Sequence, residues 1–300
     1  MRIDELIEAA DGPLFSFEFF PPKTPKGERN LAEALEALRP LEPAFVSVTY
    51  GAAGSTEQKQ KTIDIVSSIK REYGLEAMAH FTCVGATVEE LRSTLDRMRD
   101  EGVDNVLALR GDPPAGETEW TATEGGLSYS RELIELIRAD YQFAIGAACF
   151  PETHIHAATP EDDLRYLKEK VDAGARFLIT QLFFDNAFYW DFVRRARDAG
   201  IDVPIIPGIM PITNAGQIRR ITELCGSHLP PRLVAELDVR AEDPEAVAEF
   251  GVAYATLQCA DLLEHGAPGI HFYTLNKSPA TRAILSALKV FEPWRAVAPA

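Results

Sequence analysis

Short apolar segments alternate with longer amphipathic segments along the chain. The apolar segments have the length of single strands and cover residues 14–20, 45–50, 76–83, 105–109, 143–150, 177–184, 205–209 and 270–275. Their nearly continuous hydrophobicity is typical of strands covered on both faces, as in a parallel sheet. Between them, apolar residues recur at spacings of three and four, as at Leu31, Leu35 and Leu38, which predicts helices.

Helix boundary signals support this alternation. A glycine closes a helical pattern just before the next strand at Gly74, Gly102, Gly174 and Gly200. At the other end, the spacing of Thr87 and Glu90 predicts a capping box at a helix start.

The count of elements predicts the fold. About eight strand–helix units in 300 residues match the size of a (β/α)8 TIM barrel, here with two extra helices at 231–239 and 244–265 before the last strand. No linker or low-complexity tract interrupts the pattern, so we expect one domain over residues 1–300. The alternative is an open doubly wound sheet, which normally carries a glycine-rich GxGxxG turn that is missing from this sequence.

Composition narrows the partners and the compartment. The chain carries 30 Lys and Arg against 46 Asp and Glu, a net charge of −16, which argues against a nucleic-acid or anionic-membrane surface. No apolar run approaches the roughly 20 residues of a membrane span. The acidic start does not resemble a signal peptide, so we expect a cytoplasmic protein. The four cysteines form no CxxC pair, and Cys83 and Cys149 in apolar runs are expected to be buried and unbonded.

The first strand carries a candidate acid. Alternation along a strand places Ser16, Glu18 and Phe20 on one face and three phenylalanines on the other. If the phenylalanines pack under the helices, Glu18 points into the barrel near its mouth. Desolvation there should raise its pKa, so that the carboxyl holds a proton near neutral pH and can donate it.

Polar residues follow the other predicted strands as well, which indicates an active site at this mouth. The sequence has no GxSxG elbow and no obvious nucleophilic cysteine, and such a site suits chemistry done by a bound cofactor. A competing interpretation is a metal-dependent hydrolase that uses His80, His154 and Asp112, but a lone HxH is a weak signal and we predict no metal. A third is a scaffold without activity.

Six motifs, in order along nearly the whole chain, resemble the methylenetetrahydrofolate reductase family. They are FSFEFFPPKT (15–24), VSVTYGA (46–52), ALRGDPP (108–114), KVDAGARFLITQLFFD (170–185), IIPGIMPITN (205–214) and HFYTLN (271–276). The chain resembles the short bacterial form. The resemblance implies a TIM barrel that binds FAD across its mouth. It also implies reduction of 5,10-methylenetetrahydrofolate to 5-methyltetrahydrofolate with electrons from NADH or NADPH, by a ping-pong scheme that serves methionine supply.

The resemblance also implies residue roles. Glu18 matches the general acid, which protonates N10 of the folate as its five-membered ring opens, and Asp112 matches a carboxylate near the flavin and the pterin. Further substrate contacts match Gln181, Gln217, Tyr273 and Lys277. Flavin contacts match Thr49, His80, Leu109, Arg110, Gly111, Asp112, Tyr129, Ser130, Phe150, His154, Asp163, Tyr166 and Lys170, with Arg110 and Lys170 near the diphosphate charge.

The chain departs from the family's pattern at four positions. Phe150 stands where Tyr is usual, Tyr166 where Asn is usual, Ile221 where a stacking Phe is usual, and Lys277 where Arg is usual. None of these removes Glu18 or Asp112. The sequence leaves open the choice between NADH and NADPH and whether the outer helices pair in a homo-oligomer.

Overall fold

The computed structural model describes residues 1–50, 56–111 and 123–295. Within these ranges nine strands form one parallel sheet: β1 (Leu14–Phe19), β2 (Phe45–Val48), β3 (Ala77–Thr82), β4 (Asn105–Leu109), β5 (Ala144–Cys149), β6 (Phe177–Thr180), β7 (Ile205–Ile206), β8 (Gly208–Ile209) and β9 (Gly269–Tyr273). The strand order is β7-β6-β5-β4-β3-β2-β1-β9-β8.

The two end strands of this order belong to one pass of the chain. β7 pairs with β6, β8 pairs with β9, and only Pro207 separates them. Proline cannot donate to a strand ladder, and its carbonyl instead accepts a hydrogen bond from His271 N at 2.9 Å. The sheet therefore closes into the predicted (β/α)8 barrel, and the alternative of an open doubly wound sheet is wrong.

Helices follow the strands around the outside. In the described residues the α-helices are α1 (Ile3–Glu8), α2 (Pro25–Leu38), α3 (Thr56–Ser68), α4 (Val88–Asp100), α5 (Ser130–Asp140), α6 (Pro160–Ala173), α7 (Asn186–Asp198), α8 (Ala215–Cys225), α9 (Pro231–Val239), α10 (Pro244–Glu264) and α11 (Pro279–Phe291). A π-helix over Ile69–Tyr73 follows α3 directly and ends at Gly74. The two extra helices predicted before the last strand are α9 and α10. None of these helices is long and apolar enough to cross a bilayer.

The predicted helix boundaries are confirmed. Gly74, Gly102, Gly174 and Gly200 all have positive φ, between 66° and 137°, which glycine adopts without steric cost. The Thr87 side chain caps α4 by accepting from Glu90 N, and the Glu90 carboxylate accepts from Thr87 N, which forms the predicted capping box.

Alternation in β1 is as predicted. Phe15, Phe17 and Phe19 pack in the layer between the strands and the outer helices, so Ser16 and Glu18 face the barrel interior. Strand pairing sets Glu18 beside Ser47 of β2 on one side and Tyr273 of β9 on the other.

The amino-terminal end of the barrel is filled by apolar side chains. Ile3 of α1, an element that the sequence pattern did not predict, is fully buried among Phe45, Met78, Leu107 and Phe177. Its backbone N–H donates to Asn105 Oδ1 at 2.7 Å. A cavity lies at the opposite, carboxyl-terminal mouth, where α/β barrels place their active sites.

One predicted strand is shorter than expected. β6 ends at Thr180 rather than at residue 184, because Leu182 and Phe184 leave the sheet and pack with Ile218, Leu237 and other residues of the helices near the mouth. Apolar periodicity alone could not separate these two environments, since both bury the side chain.

Candidate active site

A cavity of about 1130 Å³ opens at the carboxyl-terminal mouth of the barrel. Ligand pockets commonly measure about 300–1,000 Å³, so this one holds a large ligand or two smaller ones. Of the residues predicted for the site, the cavity is lined by Glu18, Thr49, His80, Leu109, Arg110, Gly111, Tyr129, Ser130, Phe150, His154, Asp163, Tyr166, Lys170, Gln181 and Tyr273.

Two of the predicted residues that the structure describes are not brought to this wall. Gln217 and Lys277 are exposed and are not among the lining residues. The Gln217 backbone N–H is used at the start of α8, where it donates to Asn214 Oδ1 at 2.7 Å. Asp112 lies outside the described residues.

Glu18 lies on the cavity wall with two imidazoles beside it. Its Oε2 is 3.3 Å from His80 Nε2 and 3.5 Å from His271 Nε2. The side chain of Glu18 is only 18% exposed, and His271 is completely buried. Strand alternation placed Glu18 correctly, but the two histidines come from β3 and β9, which are distant in sequence.

The charge state of Glu18 differs from the prediction. Burial by itself raises the pKa of this carboxyl, but the positive charge and N–H groups of His80 and His271 outweigh burial and lower the pKa to about 2. The prediction of a raised pKa was wrong because the sequence showed the burial and not the two partners.

His271 is the main polar residue that the sequence reasoning missed. Its Nδ1 lies 2.7 Å from Ser16 Oγ, and its Nε2 lies 3.4 Å from Ser47 Oγ. The available signal was the pairing of β1 with β9, since Ser16 and His271 then share a register position and an inward face.

A cationic region lies on the cavity wall, where Lys170 of α6 comes close to Arg110 at the end of β4. Asp163, Tyr166 and Lys170 are spaced by three and four residues and therefore share one face of α6. Lys170 donates from Nζ to Ala148 O at 3.2 Å, and its pKa is lowered by burial and by the charge of Arg110, although Asp163 opposes the change. Two cations near one another in a partly buried wall favour an anionic ligand.

His154, which follows β5, lies on the cavity wall next to Asp163 of α6. Its backbone N–H donates to Asp163 Oδ2 at 3.0 Å, and its Nδ1 accepts from His156 N at 3.0 Å. Burial, with the positive charge of Arg110, lowers the pKa of His154 to about 4. The ring is therefore neutral at pH 7, and it lies edge-on against Phe150 with 4.5 Å between the centroids.

Gly111 ends the fourth strand in a conformation that excludes a side chain. Its φ is +96°, and a Cβ at this position would lie 2.3 Å from Val84 Cγ1. This conformation sets the backbone of Gly111 on the cavity wall.

An apolar wall completes the cavity, and the sequence reasoning found only part of it. Its members Leu182, Met210, Ile221, Leu224 and Cys225 come from the residues after β6 and β8 and from α8. Only Ile221 was singled out from sequence, because apolar residues on a helix ordinarily indicate core packing. Leu224 is nevertheless 68% exposed, which leaves it available to a ligand.

The metal interpretation receives no support from the described part of the chain. There, no group of three or more His, Cys, Asp or Glu side chains is arranged to hold a metal ion. His80 and His154 both line the cavity, but His80 is paired with Glu18 and His154 with Asp163 and His156. Cys83, Cys149 and Cys259 are buried free thiols, and Cys225 is a half-buried one.

Comparison with known proteins assigns the chain to one family. A sequence model of the family described as Methylenetetrahydrofolate reductase matches residues 2–289. The chain is 38% identical to "5,10-methylenetetrahydrofolate reductase" of Escherichia coli, an alignment that covers 92% of this chain and 90% of the relative. It is 41% identical to "Methylenetetrahydrofolate reductase (NADH) 1" of Arabidopsis thaliana over 94% of this chain.

The plant relatives are longer than this chain, which spans about half of their length. Among solved structures, an uncharacterized protein from Clostridium thermocellum superposes with a TM-score of 0.61, covering 96% of this chain and 98% of that one. Its description says that it binds two copies of 5-methyl-5,6,7,8-tetrahydrofolic acid. At 16% identity this likeness shows the shared fold alone.

Proposed function

The chain belongs to the methylenetetrahydrofolate reductase family, and on that premise we propose that residues 1–300 act as one catalytic barrel that reduces 5,10-methylenetetrahydrofolate to 5-methyltetrahydrofolate. The electron donor is a nicotinamide cofactor, and the name of the plant relative makes NADH the first donor to test. The observation that carries the proposal is the position of Glu18 on the wall of a cavity large enough for a folate and a second aromatic ligand.

The cavity fits FAD. Its cationic side has Arg110 and Lys170 for a diphosphate, and its wall includes Phe150 and the neutral ring of His154. The turn at Gly111 brings main chain to the wall without a side chain in the way. In addition, His80 lines the cavity beside Glu18, so its ring can contact a bound flavin. The flavin, when bound, supplies the two-electron chemistry that links the nicotinamide to the folate.

Glu18 handles the proton. Ring opening of the substrate places negative charge on N10, and a proton delivered there stabilises the open form. The hydrogen bonds and ion pairs of the Glu18 carboxylate in the described residues all fall on Oε2, which leaves Oε1 for the substrate. The distances of 3.3 and 3.5 Å between Glu18 Oε2 and the two imidazole nitrogens are compatible with this role, because contacts in an active site commonly shorten when the substrate binds.

Other side chains position the two ligands. Gln181 lies at the end of β6 on the cavity wall and binds the pterin with its amide, as the family resemblance implies, and Tyr273 borders the same region. Asp112 keeps the role implied for it, a carboxylate that favours positive charge on the substrate. Lys170 and Arg110 hold the diphosphate. Gln217 and Lys277, which are exposed here, can reach only the outer part of a folate.

Anaerobic stopped-flow spectroscopy tests the proposal. The purified protein should be yellow, and its flavin absorbance should bleach with NADH or NADPH and recover when 5,10-methylenetetrahydrofolate is added. Product analysis should give 5-methyltetrahydrofolate in a one-to-one ratio to the donor consumed. A colourless protein that binds no added FAD, or a reduced flavin that the folate does not reoxidise, contradicts the proposal.

A further inference from the structure

The barrel interior contains a buried histidine that the reaction as described does not use. His271 has no exposed surface, so it cannot touch a ligand in the cavity. It stacks on Phe45 with 5.9 Å between the ring centroids and meets Tyr273 edge-on at 5.6 Å. Its two ring nitrogens nevertheless face polar groups, Ser16 on one side and Glu18 on the other. An interior position filled by a titratable ring rather than by an aliphatic side chain calls for a physical reason.

The geometry fixes where a proton can sit. If the Ser16 hydroxyl accepts from Nδ1–H, then Nε2 has either a lone pair that accepts from protonated Glu18 or a hydrogen that it donates to the carboxylate. Both arrangements contain one proton between His271 Nε2 and Glu18 Oε2. They differ only in which atom carries it, so the proton can move between them without any rearrangement of heavy atoms.

We propose that His271 is a positioning residue that, oriented by Ser16, stores between turnovers the proton that Glu18 delivers to the folate. This inference rests on the proposed function. Glu18 takes the shared proton from Nε2–H of His271 and gives it to N10 of the folate, which leaves a carboxylate beside a neutral His271. The pair then takes up one proton from solvent, so each folate reduced consumes one proton.

Within residues 1–50, 56–111 and 123–295, the charged and titratable groups that face Glu18 come from two strands. They are His80 of β3 and His271 and Tyr273 of β9. Tyr273 stays neutral, because burial and the nearby Glu18 charge raise its pKa well above the usual value. His80 lines the cavity and is open to a ligand, whereas His271 is not, so a stored proton is protected from the ligand only on His271.

The pH dependence of the folate half-reaction tests the role. Replacing His271 removes the group from which Glu18 takes its proton. In H271Q, the rate of flavin reoxidation by the folate should fall by about 10-fold or more, and its alkaline limb should move to lower pH. Reduction of the flavin by NADH should be unchanged. If flavin-loaded H271Q reoxidises with the folate at the wild-type rate, and the alkaline limb of its pH profile does not move, the inference is overturned. The proposed function would remain intact.

Two further measurements distinguish loss of this proton from misfolding of H271Q and from failure of the proposed folate reduction. S16A keeps the imidazole and removes its orienting hydroxyl, so it should show a smaller change in the same direction. Histidine ¹⁵N NMR of the wild-type holoprotein, with His271 assigned by its absence in H271Q, should show a ring that stays protonated to higher pH than in E18Q. This readout needs no folate. If His271 titrates identically in both proteins, the shared proton does not exist, whether or not the protein reduces folate.

Discussion

The phenol of Tyr273 donates a hydrogen bond to the backbone carbonyl of Thr180, with 2.6 Å between the two oxygens. This bond crosses the mouth from β9 to β6, over the short strand β8, where Gly208 lies. A Cβ on Gly208 would lie 2.4 Å from Thr180 O and 2.6 Å from the Tyr273 hydroxyl oxygen. The absence of a side chain at residue 208 is thus what permits the bond.

We expect G208A to disturb the mouth more than removal of the bond itself does. The methyl group must displace backbone or a buried ring, which typically costs about 1–3 kcal/mol. Y273F loses one hydrogen bond and should cost about 1 kcal/mol. Both free energies of unfolding can be measured with urea.

The control is G12A, since a Cβ at Gly12 meets nothing within 4 Å. It should change the free energy of unfolding by less than about 0.5 kcal/mol. If G208A is as stable as G12A, a methyl group fits at residue 208 without displacing Thr180 or Tyr273, and the expected clash does not occur. Both mouth variants should also raise the KM for the folate, whereas G12A should not.

Glu18 should be needed for one half-reaction only. E18Q cannot donate a carboxyl proton, so folate reduction should fall by about 10²–10⁴-fold, the usual contribution of general acid catalysis. Bleaching of the flavin by NADH involves no proton from Glu18 and should proceed at the wild-type rate. Single-turnover stopped-flow measurements separate the two rates.

The matched control for E18Q is E249Q, the same change at an exposed glutamate on α10, far from the cavity lining. It should leave both half-reactions unaltered. Wild-type folate turnover in E18Q would remove the acid role from residue 18.

Lys170 should matter to the ligand and hardly to the fold. A buried ammonium group is costly to desolvate, so replacing it by the apolar side chain of K170M should change the stability of the apoprotein by less than about 1 kcal/mol. A charge-assisted hydrogen bond to a diphosphate is worth about 1.5–3 kcal/mol, so the Kd for FAD should rise about 10- to 100-fold. Fluorescence titration of apoprotein with FAD measures this.

K168M provides the comparison on the same helix, since the Lys168 ammonium group pairs with Asp172 rather than with the cavity. Its affinity for FAD should equal that of the wild type. If K170M and K168M bind FAD equally well, the diphosphate is held elsewhere.

The turn at Gly111 should not tolerate a side chain. G111A combines a φ of +96° with a contact of 2.3 Å between the new Cβ and Val84 Cγ1, and we expect a loss of about 2–4 kcal/mol. G102A has a similar φ of +77° in open space, so it isolates the cost of backbone strain alone, about 1 kcal/mol. Urea denaturation midpoints compare the stabilities of the two variants. An equal loss of stability would show that the Val84 side chain moves aside without an energetic penalty.

The sequence predicted the barrel well because its signals are local. Strand length, apolar continuity and glycine stops each act within about ten residues, and they placed β1 and the helix ends correctly. Glu18 could be assigned to the interior for the same reason, since alternation within a single strand decides it.

What the sequence did not predict depends on pairing between distant strands. The sign of the Glu18 pKa shift is set by His80 and His271, which lie 62 and 253 residues away along the chain. The split at Pro207 depends on which strand edges meet, and burial of Ile3 depends on an open barrel end that needs filling. These are properties of the closed sheet, and no local pattern encodes them.

His154 should give the protein a defined sensitivity to acid. The folded pKa is lowered to about 4, while the unfolded value is near 6.5, so between these values the unfolded chain binds the proton and the folded one does not. Stability is therefore complete above about pH 6.5 and is lost as the pH falls toward 4, by up to about 3 kcal/mol. H154Q removes this titration, so its free energy of unfolding should vary less over that range. Urea denaturation of both proteins at pH 4.5 and 7.0 measures the difference, and parallel pH dependence in the two would show that the ring is protonated in the folded state.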